Sequence, residues 1–200
     1  MRRLAIETAT SACSVALFDG DTLVDFAHET VGRGHAERLL PMIAGLEDGG
    51  RADAIAVDIG PGSFTGIRVG VAAARALGFG WNVPVTGFAS LALIAAIDGW
   101  QDETGVAVEG GHGELFLAYY DNGGRVLTAP HSRPFAEAVE QITVRRVIGN
   151  AAERLVAARG FGEAVPVEPD ARRALAVEAD LLPVPHYARG ADAKPMAPAC

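Results

Sequence analysis

The sequence predicts an α/β protein whose second half repeats the theme of its first. Three observations carry that expectation. Three short alternating apolar runs open the chain, a glycine-rich turn joins a short apolar strand to an alanine-rich helical stretch, and strand-like and helix-like segments alternate from residue 106 onward.

Residues 4–8, 13–18 and 23–28 have the short apolar character of strands, and Asp19-Gly20-Asp21 between the last two is a tight-turn signal. An antiparallel meander is therefore expected at the start. After Gly32-Arg33-Gly34, the positions Ala36, Leu39, Leu40, Ile43 and Leu46 follow one helical face, with Pro41 predicting a kink or restart. Residues 54–57 read as a strand and 65–77 as a helix carrying Gly70, Ala72, Ala73, Ala74 and Ala76, small enough for close helix approach. Residues 83–85 follow as an edge-like strand and 90–97 as an apolar helix that Asp98-Gly99 breaks, which places a domain boundary near residue 100. Beyond it come strands at 106–108, 115–120 and 125–127 with a turn at Asn122-Gly123-Gly124, a helix at 135–140, a strand at 146–148, a helix at 151–159, a strand at 164–167 and a helix at 172–180. The expected organisation is a subdomain at 1–100, a second at 101–186 and a Pro/Ala-rich tail at 187–200, frayed over its last ten residues.

Half of the 200 residues are apolar, enough for a real core, and 17 basic against 25 acidic residues give a net charge of −8. Nucleic-acid affinity comes largely from phosphates neutralised by Lys and Arg, so the chain alone should bind RNA poorly. No apolar run approaches the roughly 18 residues that suggest a membrane span, and Met1-Arg2-Arg3-Leu4 leads into a strand pattern without an h-region. A cytoplasmic protein with no membrane partner is the expectation. Cys13 and Cys200 form neither a disulfide framework nor a metal spacing.

The stretch DIGPGSFTGIRVG at 58–70 invites comparison with two nucleotide loops. A Walker A loop needs Gly, four residues, then Gly-Lys; counting from Gly60 or Gly62 reaches Thr65 or Ile67 and no lysine. A GxGxxG fingerprint from Gly60 meets Thr65 in the third glycine place, and no acid follows before Asp98 to hold a ribose. Two readings stay open: a turn capped by Ser63 or Thr65, the commoner feature of α/β folds, and an anion site at the helix N-terminus. Arg68 is correspondingly a solvated charge or an anion-facing donor.

The block GPGSFTGIRVG at 60–70, with IETATSACSVAL at 6–17, HAERLLPMI at 35–43 and VPVTGFASLALIA at 83–95, resembles the bacterial TsaB (YeaZ) family. VAVEGGHGELFLAYY at 106–120 and PHYAR at 185–189 resemble it more loosely. The resemblance implies an actin-like, RNase H-like fold of two related subdomains, each a mixed sheet flanked by helices. It also implies a non-catalytic accessory role in making threonylcarbamoyladenosine at tRNA position 37, beside a TsaD-like catalytic subunit and a TsaE-like ATPase. Contact with tRNA would then run only through the complex, and a homodimer is expected when the chain is alone. No tightly bound cofactor is implied, and ATP or ADP is expected at the partner interface if anywhere.

The resemblance implies Glu7, Thr8, Gly60, Pro61, Gly62, Ser63, Thr65 and Gly66 as the candidate phosphate loop, with Glu7 standing where the family usually has Asp. It also implies His35, Leu39, Ile43, Phe64, Ile67, Arg68, Val71 and Ala74, on helices at 35–46 and 65–79, as the partner surface, where an arginine in place of Ala73 should block association. The catalytic relative's metal-holding His-x-x-x-His pair lines up with Ser90 and Ile94, neither of which replaces an imidazole, so no catalytic metal is expected. Glu7-Thr8-Ala9 stands where actin-like ATPases carry Asp-x-Gly, a substitution that argues against independent ATP hydrolysis. The family's Asp-Ala-Arg turn has become Glu109-Gly110-Gly111, which loses a guanidinium.

Lesser candidates have ordinary readings beside them. His35 is a general base or interface residue only if a nucleophile joins it, and otherwise a surface or packing histidine. His112 reads as exposed in its glycine turn. Glu7, Asp58 and Glu109 stand at predicted strand ends where a fold could gather them around a divalent ion, although such carboxylates more often cap or face solvent. Two other functional classes stay open: an independent nucleotide-binding regulator and a glycoprotease-like peptidase.

Overall fold

The computed structural model describes residues 1–97, 99, 102–111 and 113–188. The first half opens with β1 (Arg2–Glu7), β2 (Ala12–Asp19) and β3 (Thr22–Thr30), the expected meander. Helix α1 (His35–Gly45) and a short 3-10 turn lead to β4 (Ala54–Asp58), α2 (Phe64–Trp81), β5 (Val85–Phe88) and α3 (Ser90–Ala96). The second half runs β6 (Thr104–Glu109), β7 (Glu114–Tyr120), β8 (Val126–Pro134), α4 (Phe135–Gln141), β9 (Arg146–Ile148), α5 (Ala152–Arg159) and β10 (Glu163–Val165), then a 3-10 helix (Ala171–Ala176).

Both halves build the same mixed sheet. The strand order is β3-β2-β1-β4-β5 in one and β8-β7-β6-β9-β10 in the other. In each, two antiparallel pairs come from hairpins and two parallel pairs from helical crossovers.

Alternation along the strands decides what each sheet face meets. In the first sheet Leu4, Ile6, Val15, Leu17, Ile55 and Val57 point to the α1/α2 layer, where Leu39, Ile43, Ile67, Val71 and Ala74 meet them. The intervening Ala5, Ala16 and Ala56 are small, and against them press Ala171 and Ala174 of the 3-10 helix and Leu93 of α3. The second sheet mirrors this: Leu115, Leu117 and Val147 meet α4 and α5, whereas Val106, Val108, Phe116 and Tyr120 meet Leu91, Ile94 and Ala95 of α3. The last helix of the first half thus packs on the second sheet, and the last helix of the second half packs on the first.

Three expectations change. Pro41 does not restart α1, which runs unbroken through it with the proline on the solvent face. The helix at 172–180 is a shorter 3-10 helix, started by Asp170, whose carboxylate accepts the Arg172 amide; its buried Ala171 and Ala174 repeat at the three-residue period. The strand at 125–127 extends through Pro134 as a half-exposed edge, whose polar His131-Ser132-Arg133 hid its strand character.

Because α3 is wedged between the sheets, Ile94→Ala should cost about 2–5 kcal/mol. Amide exchange should accelerate in β1 and β4 as well as in β6 and β7. Loosening confined to the second sheet would show that the two halves unfold separately.

Candidate functional site

β1 and β4 run parallel and side by side, with Ile6 opposite Val57, so the next residues, Glu7 and Asp58, end both strands together. Both carboxyls are fully buried. Glu7 Oε1 accepts the Ala9 amide at 2.7 Å, and Oε2 takes a long 3.4 Å bond from Ser14 Oγ. Asp58 Oδ1 accepts the Gly60 amide at 2.7 Å and Ser90 Oγ at 2.5 Å, while Oδ2 is buried without a hydrogen-bond partner among the described residues. Burial pushes Glu7 well above the usual carboxylate range, and the nearby charges of Asp58 and Glu168 push it the same way. Burial likewise lifts Asp58 to about 7 against the pull of its Ser90 and Gly60 donors.

The glycine loop lies directly on this strand end. Gly62, Gly66 and Gly70 recur every four residues and present one bare helical face to Thr8 and Ala9. A Cβ at Gly62 would fall inside the Ala9 carbonyl oxygen's contact distance, one at Gly66 inside that of the Thr8 carbonyl oxygen, and one at Gly70 inside that of Thr8 Oγ1. The Ser63 amide donates to Ala9 O at 2.6 Å, and Thr8 Oγ1 donates to Gly66 O at 2.8 Å. Ser63 caps α2 by accepting the Gly66 amide at 3.2 Å. The amides of Ala9, Gly60, Ser63 and Gly66, which a phosphate would need, therefore all serve internal acceptors.

Pro61 and Gly62 belong to this packed turn, whereas Thr65 faces solvent. Asp58, Ser90, Ser14 and Glu168 join Glu7 at the site; Glu109 does not. Its carboxylate is exposed and accepts from Arg154 at 2.9 Å. Glu168 takes the third place, accepting from Ser11 Oγ at 3.0 Å and Asn150 Nδ2 at 3.5 Å. Its position in a Val-Glu-Pro-Asp loop after β10 carries no motif, so the sequence offered no signal for it. Among the described residues no group of three or more His, Cys, Asp or Glu side chains is arranged to hold a metal ion. Ser90 is engaged with Asp58, and Ile94 lies in the core between α3 and the second sheet. His112 falls outside the described residues.

The stripe read as partner surface turns inward. Leu39, Ile43, Ile67, Val71 and Ala74 are buried in the chain's own core, because the same spacing that marks a helical face marks the face that covers the sheet. His35 is buried too and donates Nε2–H to the Ala12 carbonyl at 3.0 Å, which makes it a packing histidine. Phe64 and Arg68 remain exposed. Arg68 faces solvent but is held in place: its guanidinium lies 3.6 Å from the Phe64 ring centroid, and Nε donates to Tyr187 Oη at 2.8 Å. Tyr187, the first residue of the tail assigned to 187–200, is thus held against α2, and residues 189–200 lie outside the described residues.

The buried carboxyls fix a pH dependence. A carboxyl with a raised folded pKa keeps its proton in the native state after the unfolded chain has lost its own, so unfolding releases a proton and stability falls as pH rises. For Asp58 the fall runs from near 4 to about 7, at up to about 1.4 kcal/mol per pH unit, and Glu7 extends it in the same direction. Asp19, Glu29, Asp121 and Asp170, all lowered, add little slope above pH 5.5. Asp58→Asn should flatten the urea-midpoint profile between pH 5.5 and 7, and profiles that stay parallel to the wild type would remove Asp58 as the cause.

A family model described as TsaD, tRNA N6-adenosine threonylcarbamoyltransferase, matches residues 27–166. The tRNA threonylcarbamoyladenosine biosynthesis protein TsaB of Escherichia coli (strain K12) is 38% identical over 129 residues, covering 60% of this chain and 55% of that protein. The chain thus spans about half the length of this curated relative. YeaZ from Pseudomonas aeruginosa superposes with a TM-score of 0.75 at 25% identity, over 93% of this chain and 99% of that one. The ethanolamine utilization protein EutJ from Carboxydothermus hydrogenoformans shares the fold, with a TM-score of 0.56 at 12% identity over 88% of this chain and 89% of its own. The two helix-flanked mixed sheets are those of the actin-like fold, and the chain belongs to the TsaD family of tRNA N6-adenosine threonylcarbamoyltransferases, on its TsaB/YeaZ branch.

Proposed function

We propose that this chain is a non-catalytic accessory subunit of the bacterial machinery that makes N6-threonylcarbamoyladenosine at tRNA position 37. It would dock a TsaD-like catalytic subunit along the solvent face of α1 and α2. One observation carries the reading: these two neighbouring helices leave an apolar, small-residue face outward. Leu40 is 52% exposed, Phe64 54% and Phe79 92%, and Ala36, Pro41, Ala44, Ala72 and Ala76 lie exposed on the same helices. Small side chains between large ones let a partner helix approach closely, and burying such a face supplies the association energy.

The remaining parts of the proposal follow from chemistry. With the amides of Ala9, Gly60, Ser63 and Gly66 engaged internally, nucleotide belongs at the junction with the partner or on a TsaE-like ATPase. With a net charge of −8, tRNA is held by the partner, and the same helix face serves a homodimer when the partner is missing. No helix of the described residues is long and apolar enough to cross a membrane, and the proposed work is cytoplasmic. The buried Ser90 and Ile94 disfavour the peptidase reading, and the engaged amides disfavour an independent nucleotide-binding regulator.

The test is reconstitution with the same organism's TsaD-like and TsaE-like proteins, the adenylate-forming enzyme, ATP, bicarbonate, threonine and unmodified tRNA, with modified adenosine counted by mass spectrometry. Omitting this chain should stop product formation, and equal product without it would end the proposal. Ala73 is half-buried against the core, so an arginine there would disturb the fold itself. Ala76→Arg, fully on the solvent face, should abolish co-elution with the TsaD-like subunit while leaving thermal stability within about 0.5 kcal/mol.

A further inference from the structure

After the last 3-10 helix the chain runs back across the first subdomain. Leu181 and Gly87 exchange amide-to-carbonyl bonds of 2.7 and 3.1 Å, a single antiparallel bridge on the edge strand β5. The His186 amide then donates to Ile59 O at 2.7 Å, and the His186 carbonyl oxygen lies 2.6 Å from where a Cβ on Gly60 would sit. Tyr187 ends the run with its ring centroid 5.2 Å from that of Phe64 and its hydroxyl accepting Arg68 Nε at 2.8 Å. The segment buries little beyond the half-buried Ala188 on the core of the second sheet: Leu182 is 76% exposed, and Leu181, Val184 and Tyr187 are also exposed. A handful of directed contacts holds it, the profile of a segment that opens at low free-energy cost.

Those contacts end on one stripe of α2. Phe64, Arg68, Ala72 and Ala76 recur every four residues and lead on to Phe79, all exposed. Arg68 makes no ion pair among the described residues, so its order comes from stacking on Phe64 and from the Tyr187 hydroxyl. An unrestrained arginine loses rotamer freedom when a partner immobilises it, and a restrained one loses less.

We infer that residues 181–188 form a clasp over the Gly60–Pro61 turn, and that Tyr187 is the positioning residue that presets Arg68 and Phe64 for docking at the N-terminal end of α2. This rests on the reading of the α1/α2 face as the docking surface. The clasp makes the partner-facing end of α2 depend on a segment from the far end of the chain, so docking is sensitive to whether that segment is seated.

The test uses the full chain with the TsaD-like subunit, comparing wild type, Tyr187→Phe, Arg68→Ala and the double variant by calorimetric titration, with amide exchange of the free chains. Tyr187→Phe keeps the ring and removes only the acceptor. It should weaken binding about tenfold and speed exchange across residues 60–68 with the melting temperature held. Arg68→Ala should weaken binding similarly, and the double variant should be no weaker than the weaker single. Wild-type affinity in Tyr187→Phe, or losses that multiply in the double variant, overturns the inference while leaving the docking surface in place. Failure of the wild type to bind overturns the docking surface instead; the exchange arm still decides the clasp, because unchanged protection at 60–68 in Tyr187→Phe overturns it.

Discussion

The close approach of one backbone to another at Thr8-Ala9 and Gly62-Gly66-Gly70 is the constraint on which the site depends. No side chain separates the first turns of α2 from the end of β1, so helix and strand touch through carbonyls, amides and the Thr8 hydroxyl. This contact sets the height of α2 over the sheet and aligns its buried stripe of Ile67, Val71 and Ala74 with Val57 in the core. It also brings Ser63 to its capping position. The motif's glycines look like a phosphate loop because both devices need bare backbone; here the atom admitted is a carbonyl oxygen of the same chain.

Beneath that contact lie two carboxyls in a place with little to neutralise them. The parallel pairing of β1 and β4 forces Glu7 and Asp58 together, and the charges acting on Glu7 come from acids. A buried pair of this kind lowers its cost by holding protons, with serine hydroxyls and turn amides satisfying the oxygens that face them. Ser90, Ser14 and the amides of Ala9 and Gly60 supply the hydrogen bonds that the two carboxyls accept. The exchange of α3 and the last 3-10 helix between the sheets then fixes Ser90 and Ser14 from opposite sides, since the Ala171 amide donates to Ser14 Oγ at 2.9 Å.

Much of this was legible in the sequence, because periodicity and turn chemistry are local. The opening meander, the Ser63 cap and the strand-to-helix alternation of the second half all rest on neighbours within a few residues. The orientation of the helices was not legible. An apolar stripe states that a helix covers something; Leu39, Ile43, Ile67 and Val71 cover the sheet of their own domain, and the outward face is marked by the less conspicuous alanines with Leu40 and Phe79. Glu168 and Tyr187 were missed for a related reason: each acts across more than a hundred residues of chain, on Ser11 and on Arg68, and no spacing rule reaches that far. Tyr187 alone left a trace, in the PHYAR motif.

The duplicated topology explains why the proposed association surface falls on one half and not on the other. In the first half α2 is an 18-residue helix on a glycine-padded contact, long enough to present both a buried and an exposed stripe. Its counterpart α5 has eight residues; Glu153, Arg154, Ala157 and Ala158 are its exposed positions, and Arg159 is half-buried. Arg159 turns back to the carbonyls of Ile142, Val144 and Arg145, and Arg154 stacks on Phe135 at 3.9 Å. Charge and short length close that side to helix packing. Two copies of one topology have therefore diverged in this layer, the long α2 carrying the proposed docking face and the short α5 carrying arginines folded back on their own subdomain.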